Sequence, residues 1–197
     1  MNKKIFIVFA SVCSMLWATQ SLAWNKLPDL PNPLGVAGPF VGIHNDVLIL
    51  SGGANFPNGV PWEKTDDGFN SPKIYNDQIH VLIKNGNDYS WYNSPVTLPR
   101  SLAYGVSIPT INGIICIGGE WKNHEKNPKT KSYKTSSGIS DKIFVIQWKD
   151  EIQISDKWFL PGEDENTIVD IPNLPQSTTA MAGAIIDNKI YIVGGDS

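Results

Sequence analysis

Three stretches of the chain share one pattern of hydrophobic and polar positions. Each begins near a Leu-Pro pair, continues through two short apolar runs separated by a polar turn, and ends at two consecutive glycines. The second run of each pair is rich in β-branched residues, which favour strands. These second runs are residues 47–50, 114–117 and 190–193. The pattern therefore predicts three β-hairpins of one kind.

The turns inside these hairpins, at residues 44–46, 111–113 and 187–189, contain Asn, Asp or Gly. Such residues tolerate the positive φ angles of tight hairpins. The glycine pairs begin at Gly52, Gly118 and Gly194, so they recur after 66 and 76 residues. Glycine at the end of a strand marks a place where another backbone comes close. We expect neighbouring units to touch there.

Two further strands follow the first two hairpins. The third strand is predicted at residues 76–82 and 140–146, and a fourth strand carrying Trp at residues 89–92 and, less clearly, 156–159. Four strands with Gly-Gly after the second and Trp on the fourth are typical of the kelch-type β-propeller. The alternative is an open antiparallel β-sandwich. Because the repeat exceeds a minimal blade of roughly 40–50 residues, residues 54–75 and 120–138 are predicted as long inserted loops.

The order of these strands predicts an all-β propeller that is incomplete. Residues 24–33 look like an outer strand that would close the last blade of a ring. Residues 34–99 and 100–175 then form two blades, and residues 176–197 supply the first two strands of a further blade. We therefore expect about two and a half blades. The remaining blades would come from a missing C-terminal part or from a second chain.

The first 23 residues have the pattern of a secretory signal peptide. Lys3 and Lys4 precede an apolar stretch at residues 5–18, and Ser21-Leu22-Ala23 offers small residues at the cleavage positions. The apolar stretch is shorter than the roughly 20 residues of a membrane span, although an uncleaved anchor is the alternative. The pattern predicts a periplasmic or secreted protein.

The composition and charge of the chain argue against nucleic acids, membranes and metal ions as binding partners. The formal net charge is −3, and it becomes about −5 without the predicted signal peptide. No basic stripe for nucleic acid and no basic amphipathic helix for a membrane is present. His44, His80 and His124 are scattered without the spacing of a metal site, so no metal is predicted. Cys116 lies in an apolar run and is predicted to be a small core residue.

Connections in a four-stranded blade alternate between its two ends, so both long loops and the segment after Leu98-Pro99 are predicted to share one rim. Long loops gathered at one end of a scaffold often bind ligands. Trp and Tyr can stack on sugar rings, Arg can grip a carboxylate, and Glu can move protons. The candidates on this rim are Asn55, Trp62, Glu63, Arg100, Tyr104, Glu120 and Trp121.

Each prominent candidate has a structural alternative. Trp62 could serve only to pin its loop, and Trp121 could pack beneath one. Arg100 could brace loop carbonyls, and Glu120 could be a solvated loop residue.

Several segments together resemble the sialic acid mutarotases, also called N-acetylneuraminate epimerases. The resemblance lies in residues 35–43, 45–54, 103–109 and 117–120 and in Arg100. It extends over about residues 27–154. Residues 174–197 resemble the opening blade of that family, although they follow what would be its last two blades. This order is similar to the circularly permuted branch of the family.

The resemblance implies a six-bladed propeller that speeds interconversion of sialic acid anomers without a metal or organic cofactor. It implies a base, an acid and a cation that holds the carboxylate of sialic acid or a related sugar acid. The resemblance places the family's Glu and Arg pair on a blade that this chain lacks. That Glu follows a Gly at the end of a second strand, and Glu120 is its repeat analogue in the equivalent place one blade over. We therefore predict Glu120 as catalytic. The predicted substrate-binding residues are Arg100, Asn55, Tyr104, Trp62 and Trp121.

This isomerase activity is expected only of a complete propeller. One alternative is a propeller that binds a carbohydrate or a protein without catalysis. A second alternative is an inactive, truncated remnant.

Overall fold

A computed structural model describes residues 25–60, 62–64, 71–130, 132–159, 168–187 and 189–197. The predicted signal peptide, residues 1–23, lies outside the described residues. The described parts contain strands and no helix, so none of their segments is a helix long and apolar enough to cross a membrane. The strands are β1 (Phe40–His44), β2 (Val47–Ser51), β3 (Ala54–Asn55), β4 (Ile74–Tyr75), β5 (Ile79–Asn85), β6 (Asp88–Asn93), β7 (Val106–Thr110), β8 (Gly113–Ile117), β9 (Glu120–Lys126), β10 (Tyr133–Ile139), β11 (Ile143–Trp148), β12 (Ile152–Ser155), β13 (Lys157–Phe159), β14 (Ile168–Asp170), β15 (Ala182–Ile186) and β16 (Lys189–Val193).

The first blade is an antiparallel sheet in the order β1-β2-β5-β6. We call the first strand of each blade its inner strand. In the inner strand β1, residue burial alternates strictly: Phe40, Gly42 and His44 are buried, and the residues between them are exposed. This is the period of two that a strand buried on one face requires. Central strand β5 is buried at four consecutive positions, because it is covered on both faces.

The second blade has the order β7-β8-β11-β12, and its fourth strand corrects the prediction. Residues 156–159, which carry Trp158, do not form it; they contain β13, which pairs with β14 instead. The chain turns earlier than expected, because Lys149 N donates to Glu151 O and Asp150 adopts a φ of 60°. This tight turn returns the chain directly into β12 alongside β11.

The contacts between units repeat along the chain. Gly53 N donates to Leu102 O over 2.8 Å, and Gly119 N donates to Thr178 O over 3.0 Å. These donors are the second glycines of two successive pairs, and each acceptor lies three residues beyond the Pro of the following Leu-Pro pair. The step from the first blade to the second is therefore repeated from the second blade to β15–β16.

A second series of bonds follows the inner edge of the blades. Tyr104 N donates to Gly38 O and Ala180 N donates to Tyr104 O, both over 2.8 Å. The three residues precede the inner strands β1, β7 and β15. One residue of each unit is thus hydrogen-bonded to the equivalent residue of the next unit. This is the arrangement expected of blades placed around a common axis. The architecture is a kelch-type β-propeller, and the sandwich alternative is wrong.

Two apolar clusters fill the spaces between successive units. The cluster between the two blades contains Phe40, whose ring meets Phe144 edge to face at 5.7 Å between centroids. Cys116 is fully buried in this cluster, as predicted, and burial raises the pKa of its thiol. The second cluster joins the second blade to the β15–β16 unit through Val106, Ile117, Met181 and Ile192.

Both inserted segments predicted as loops contain paired strands. β3 pairs with β4 across the first insertion, and β9 pairs with β10 over seven residues across the second. The turn of the second hairpin is closed by Asn127, whose Oδ1 accepts from Lys129 N and Thr130 N. Most of β9 and β10 is exposed or half-buried. Without an apolar face, this hairpin carries no alternating pattern that sequence reasoning could detect.

The edges of the described sheet system differ from its centre. β15 and β16 form a two-stranded sheet whose apolar residues are exposed except for the half-buried Ile192, and Val193 is 69% exposed. At the other edge, residues 25–33 form no strand, and Pro28 O accepts a hydrogen bond from Trp91 Nε1 of β6 over 3.1 Å. The predicted closing strand at residues 24–33 stays a prediction, and Trp24 lies outside the described residues.

Candidate functional site

Glu120 begins β9 directly after the second glycine pair. Glu120 N donates to Ala103 O over 2.8 Å, and Ala103 N donates back to Glu120 O over 3.0 Å. Gly119 has a φ of 98°, a conformation that favours glycine. The backbone of Glu120 is therefore held on the rim by the inner edge of its own blade.

The side chain of Glu120 meets a tyrosine of the first blade. Tyr75 Oη donates a hydrogen bond to Glu120 Oε1. Tyr75 is 5% exposed and ends β4, opposite Ala54. Burial raises the pKa of the Tyr75 hydroxyl, and the hydrogen bond and negative charge of Glu120 raise it further. Tyr75 is therefore a neutral donor fixed on the carboxylate.

Tyr104 and Lys73 complete this group. The rings of Tyr75 and Tyr104 meet edge to face with centroids 6.5 Å apart. Lys73 Nζ lies 4.9 Å from the Tyr104 centroid and 5.8 Å from that of Tyr75, and it is 3.4 Å from Tyr104 Oη. An ammonium at these distances is attracted to the ring faces. We name Lys73, Tyr75, Tyr104 and Glu120 the Glu120 cluster.

The backbone position of Tyr104 is unusual for a tyrosine. Its φ is 61°, in the left-handed region that costs non-glycine residues about 1–2 kcal/mol. The hydrogen bonds from Tyr104 N to Gly38 O and from Ala180 N to Tyr104 O maintain this conformation. The equivalent residues Gly38 and Ala180 have the same conformation, so it is a feature of the repeat. Here the conformation places the ring against Tyr75 and Lys73.

Arg100 and Trp121 form a separate pair. Arg100 Cζ lies 4.3 Å from the centroid of the Trp121 ring. The indole also packs over Gly138, where an added Cβ would come within 2.9 Å of it. Successive side chains of a strand point to opposite faces, so Trp121 and Glu120 leave β9 on different sides. The structure brings Arg100 to the same rim as Glu120 without joining their side chains.

The other three candidates on the rim are Asn55, Trp62 and Glu63. Asn55 Nδ2 donates to Gly35 O over 2.9 Å, which braces the start of the first blade. Trp62 is 78% exposed, and Glu63, also exposed, has its backbone N bonded to Val60 O. Their binding roles stay predictions.

Lys73 and Tyr75 were missed from the sequence because residues 54–75 were interpreted as a loop. A signal was available, since Tyr75 immediately precedes the predicted third strand of the first blade. The equivalent residue of the second blade is Ile139, because both lie opposite the residue after the glycine pair. The signal was a polar aromatic residue, Tyr75, at the position where the second blade has the aliphatic Ile139.

His124 holds the backbone of Lys73 in place. Its Nε2 donates to Lys73 O over 3.0 Å, and Thr135 Oγ1 donates to its Nδ1 over 2.9 Å. Both ring nitrogens are therefore occupied by neighbours. In the described part of the chain, no three His, Cys, Asp or Glu side chains gather closely enough to hold a metal ion.

Curated relatives share one name. The chain is 37% identical over 140 residues to N-acetylneuraminate epimerase 1 of Escherichia coli O6:H1 strain CFT073, covering 68% of this chain and 32% of that protein. It is 43% identical over 105 residues to the N-acetylneuraminate epimerases of Escherichia coli K12 and Shigella sonnei Ss046, covering 51% of this chain and 27% of each. The chain thus spans about a third of the length of these relatives. The resemblance predicted from the sequence is confirmed.

The solved structure titled "Structure of YjhT" is 34% identical with a TM-score of 0.46, covering 70% of this chain and 36% of that one. No family model matches the chain.

Proposed function

We propose that this chain is part of a propeller that accelerates exchange between the anomers of N-acetylneuraminate, an isomerase reaction. Its relatives are named for this sugar acid. The observation that carries the proposal is the hydrogen bond from Tyr75 Oη to Glu120 Oε1 on the rim. It holds a carboxylate in one orientation where a ligand can reach it.

The chemistry requires only proton transfers. Glu120 accepts the proton of the anomeric hydroxyl while the bond between the anomeric carbon and the ring oxygen breaks. A carbonyl forms, and the ring oxygen takes up a proton, which Glu120 can return. Rotation of the carbonyl group and closure by the reverse steps give the other anomer. No proton is gained or lost overall and no carbon changes its oxidation state, so the reaction consumes no redox cofactor.

In this proposal Tyr75 is a positioning residue. Its raised pKa keeps the phenol protonated, so that it donates to Glu120 throughout. The second carboxylate oxygen of Glu120 then remains for the substrate. A positioned carboxylate acting as general acid and base contributes about 10²–10⁴-fold.

The other predicted binding residues are part of the proposal. Tyr104 belongs to the Glu120 cluster, and Asn55 and Trp62 would contact the sugar around it. Any contact made by Arg100 and Trp121 would fall on the opposite side of β9. Further blades, from additional sequence or a second chain, would enclose the remaining faces of the sugar. We also propose a periplasmic or secreted location, which rests on residues 1–23.

The test is proton NMR of α-N-acetylneuraminate freshly released by a sialidase. We expect the complete propeller that contains this chain to speed conversion to the β anomer, and Glu120→Gln in it to lower that rate about 10²–10⁴-fold. Glu125→Gln is the matched control, because Glu125 is exposed on the same strand. Saturable binding without any acceleration would contradict catalysis and favour a non-catalytic binding propeller.

A further inference from the structure

We propose that Lys73, rather than the predicted Arg100, is the cation that binds the carboxylate of the sugar acid at the Glu120 cluster. The inference rests on the proposed function and deepens it. The anomeric carbon of such a sugar bears both the hydroxyl that loses a proton and the carboxylate. The residue that binds the carboxylate must therefore lie beside the residue that accepts the proton.

Lys73 meets this requirement through a shared neighbour. Its Nζ faces the ring of Tyr75, and Glu120 accepts the hydrogen bond of the same tyrosine's hydroxyl. The positive and negative groups thus flank one buried side chain. Lys73 and Glu120 are themselves half-buried, so a ligand on the rim above Tyr75 can contact both groups with two substituents of one carbon.

Lys73 also has the surroundings of an anion-binding group. It is half-buried, and within the described ranges its ammonium contacts only Tyr104 Oη and the two tyrosine rings, with no acidic partner. A partly desolvated cation without a counter-ion gains when a carboxylate binds. A hydroxyl and two rings leave ammonium protons to donate to a ligand.

The segment that carries Lys73 is held before any ligand binds. His124 Nε2 donates to Lys73 O over 3.0 Å, and the next two residues form β4 against β3. A preorganised group loses less conformational entropy on binding.

Arg100 lacks these features. Its guanidinium lies over the Trp121 ring, and Trp121 leaves β9 on the face opposite Glu120. A carboxylate held there would not place the anomeric hydroxyl on Glu120.

The experiment measures binding, independently of catalysis. NMR titrations of the full chain would use N-acetylneuraminate and its methyl ester, which lacks the charge. We expect Lys73→Met to weaken binding of the acid about tenfold or more and to leave binding of the ester unchanged. The control is Lys84→Met, because Lys84 Nζ lies 6.0 Å from the exposed Tyr89 ring in a comparable contact outside the site. Thermal melting confirms that each variant is folded.

Three results would overturn the inference: loss of acid binding in Arg100→Met and not in Lys73→Met, equal weakening of acid and ester in Lys73→Met, or no binding of N-acetylneuraminate to the wild-type chain. A different result separates the two proposals. If the wild-type chain binds the acid through Lys73 without speeding anomer exchange, the proposed function fails and the binding site stands.

Discussion

The first and second blades have the same backbone connections but different side chains on the rim. After the glycine pair, the first blade has Ala54 and the second has Glu120, and each exchanges two backbone hydrogen bonds with an alanine, Ala37 or Ala103. Opposite them stand Tyr75 in the first blade and Ile139 in the second. The repeated backbone hydrogen bonds set the distance between equivalent positions of the two blades. The side chains that depart from the repeat, Tyr75 and Glu120, form the candidate site.

The Glu120 cluster shows how this works. The alanine of the first blade leaves room beside Tyr75, and Tyr75 extends to the glutamate of the next blade. The pair requires Tyr opposite Ala54 in the first blade and Glu after the glycine pair of the second. The site is therefore a property of two unlike neighbours, and matched substitutions at equivalent positions are the way to test the comparison.

The largest expected difference concerns the first residue of each inner strand. Phe40 and Val106 are equivalent, but Phe40 fills the cluster between the blades and Val106 lines the more open one beside β15–β16. We expect Phe40→Ala to lower the free energy of unfolding by about 3–5 kcal/mol and Val106→Ala by about 2 kcal/mol. Urea denaturation of the full chain measures both. Equal losses would contradict the claim that the two interfaces differ in packing.

The next difference concerns the first glycine of each pair. Gly118 and Gly194 have φ angles of 62° and 73°. A Cβ on Gly118 would collide with Thr178 O of the next unit, whereas one on Gly194 meets nothing within 4 Å.

Both alanine variants carry the cost of a left-handed residue, about 1–2 kcal/mol. The freedom that an unfolded glycine loses on folding offsets about 0.5–1 kcal/mol of this cost, and only Gly118→Ala adds the collision. We expect a loss of about 2–4 kcal/mol for Gly118→Ala and about 1 kcal/mol for Gly194→Ala, again by urea denaturation. If Gly194→Ala were as damaging, some group would have to pack against Gly194, and the comparison would have to be revised.

The sequence predicted the fold well where the side-chain pattern and the backbone geometry have the same cause. The three hairpins and their glycine pairs follow from alternating apolar positions and from close backbone contacts. The fourth strand of the second blade was misplaced because Trp158 was treated as the marker. In the structure, the turn at Asp150 decides where that strand begins.

The candidate site was predicted only in part. Glu120 and Tyr104 were found because they stand at fixed offsets from the repeated glycines. Lys73 and Tyr75 were missed because a short strand such as β4 has no periodic pattern. Their relation to Glu120 depends on contact between blades, which no local sequence signal encodes.

A third prediction compares the last residues of the inner strands. His44 in the first blade is buried, and its Nδ1 accepts a hydrogen bond from Trp148 N over 3.0 Å; Thr110 occupies the equivalent place in the second blade. Burial lowers the pKa of His44, the charge of Lys149 lowers it further, and a backbone hydrogen bond at Ile111 partly opposes them.

Because the unfolded chain binds this proton at a higher pH than the folded chain does, folding should weaken as the pH falls below about 6.5. In His44→Thr, which copies the second blade, that part of the pH dependence should disappear. The measurement is the free energy of unfolding from urea titrations at pH 7.5 and 5.5, in wild type and variant. Identical slopes with pH in the two proteins would argue against a neutral, buried His44.

The smallest expected effect concerns the residues that precede the inner strands. Gly38, Tyr104 and Ala180 have φ angles of 61°, 61° and 54°, and only the first is a glycine. Tyr104 cannot be changed cleanly, because its ring belongs to the Glu120 cluster. Ala180 is exposed, so Ala180→Gly removes little besides the left-handed strain. That strain costs about 1–2 kcal/mol, and the extra freedom of an unfolded glycine offsets about 0.5–1 kcal/mol of the gain. We therefore expect a net stabilisation of about 0.5 kcal/mol in urea denaturation. A loss of stability would mean that Ala180 does not hold the left-handed conformation in solution, and the line of bonds from Gly38 through Tyr104 to Ala180 would then not extend to the third unit.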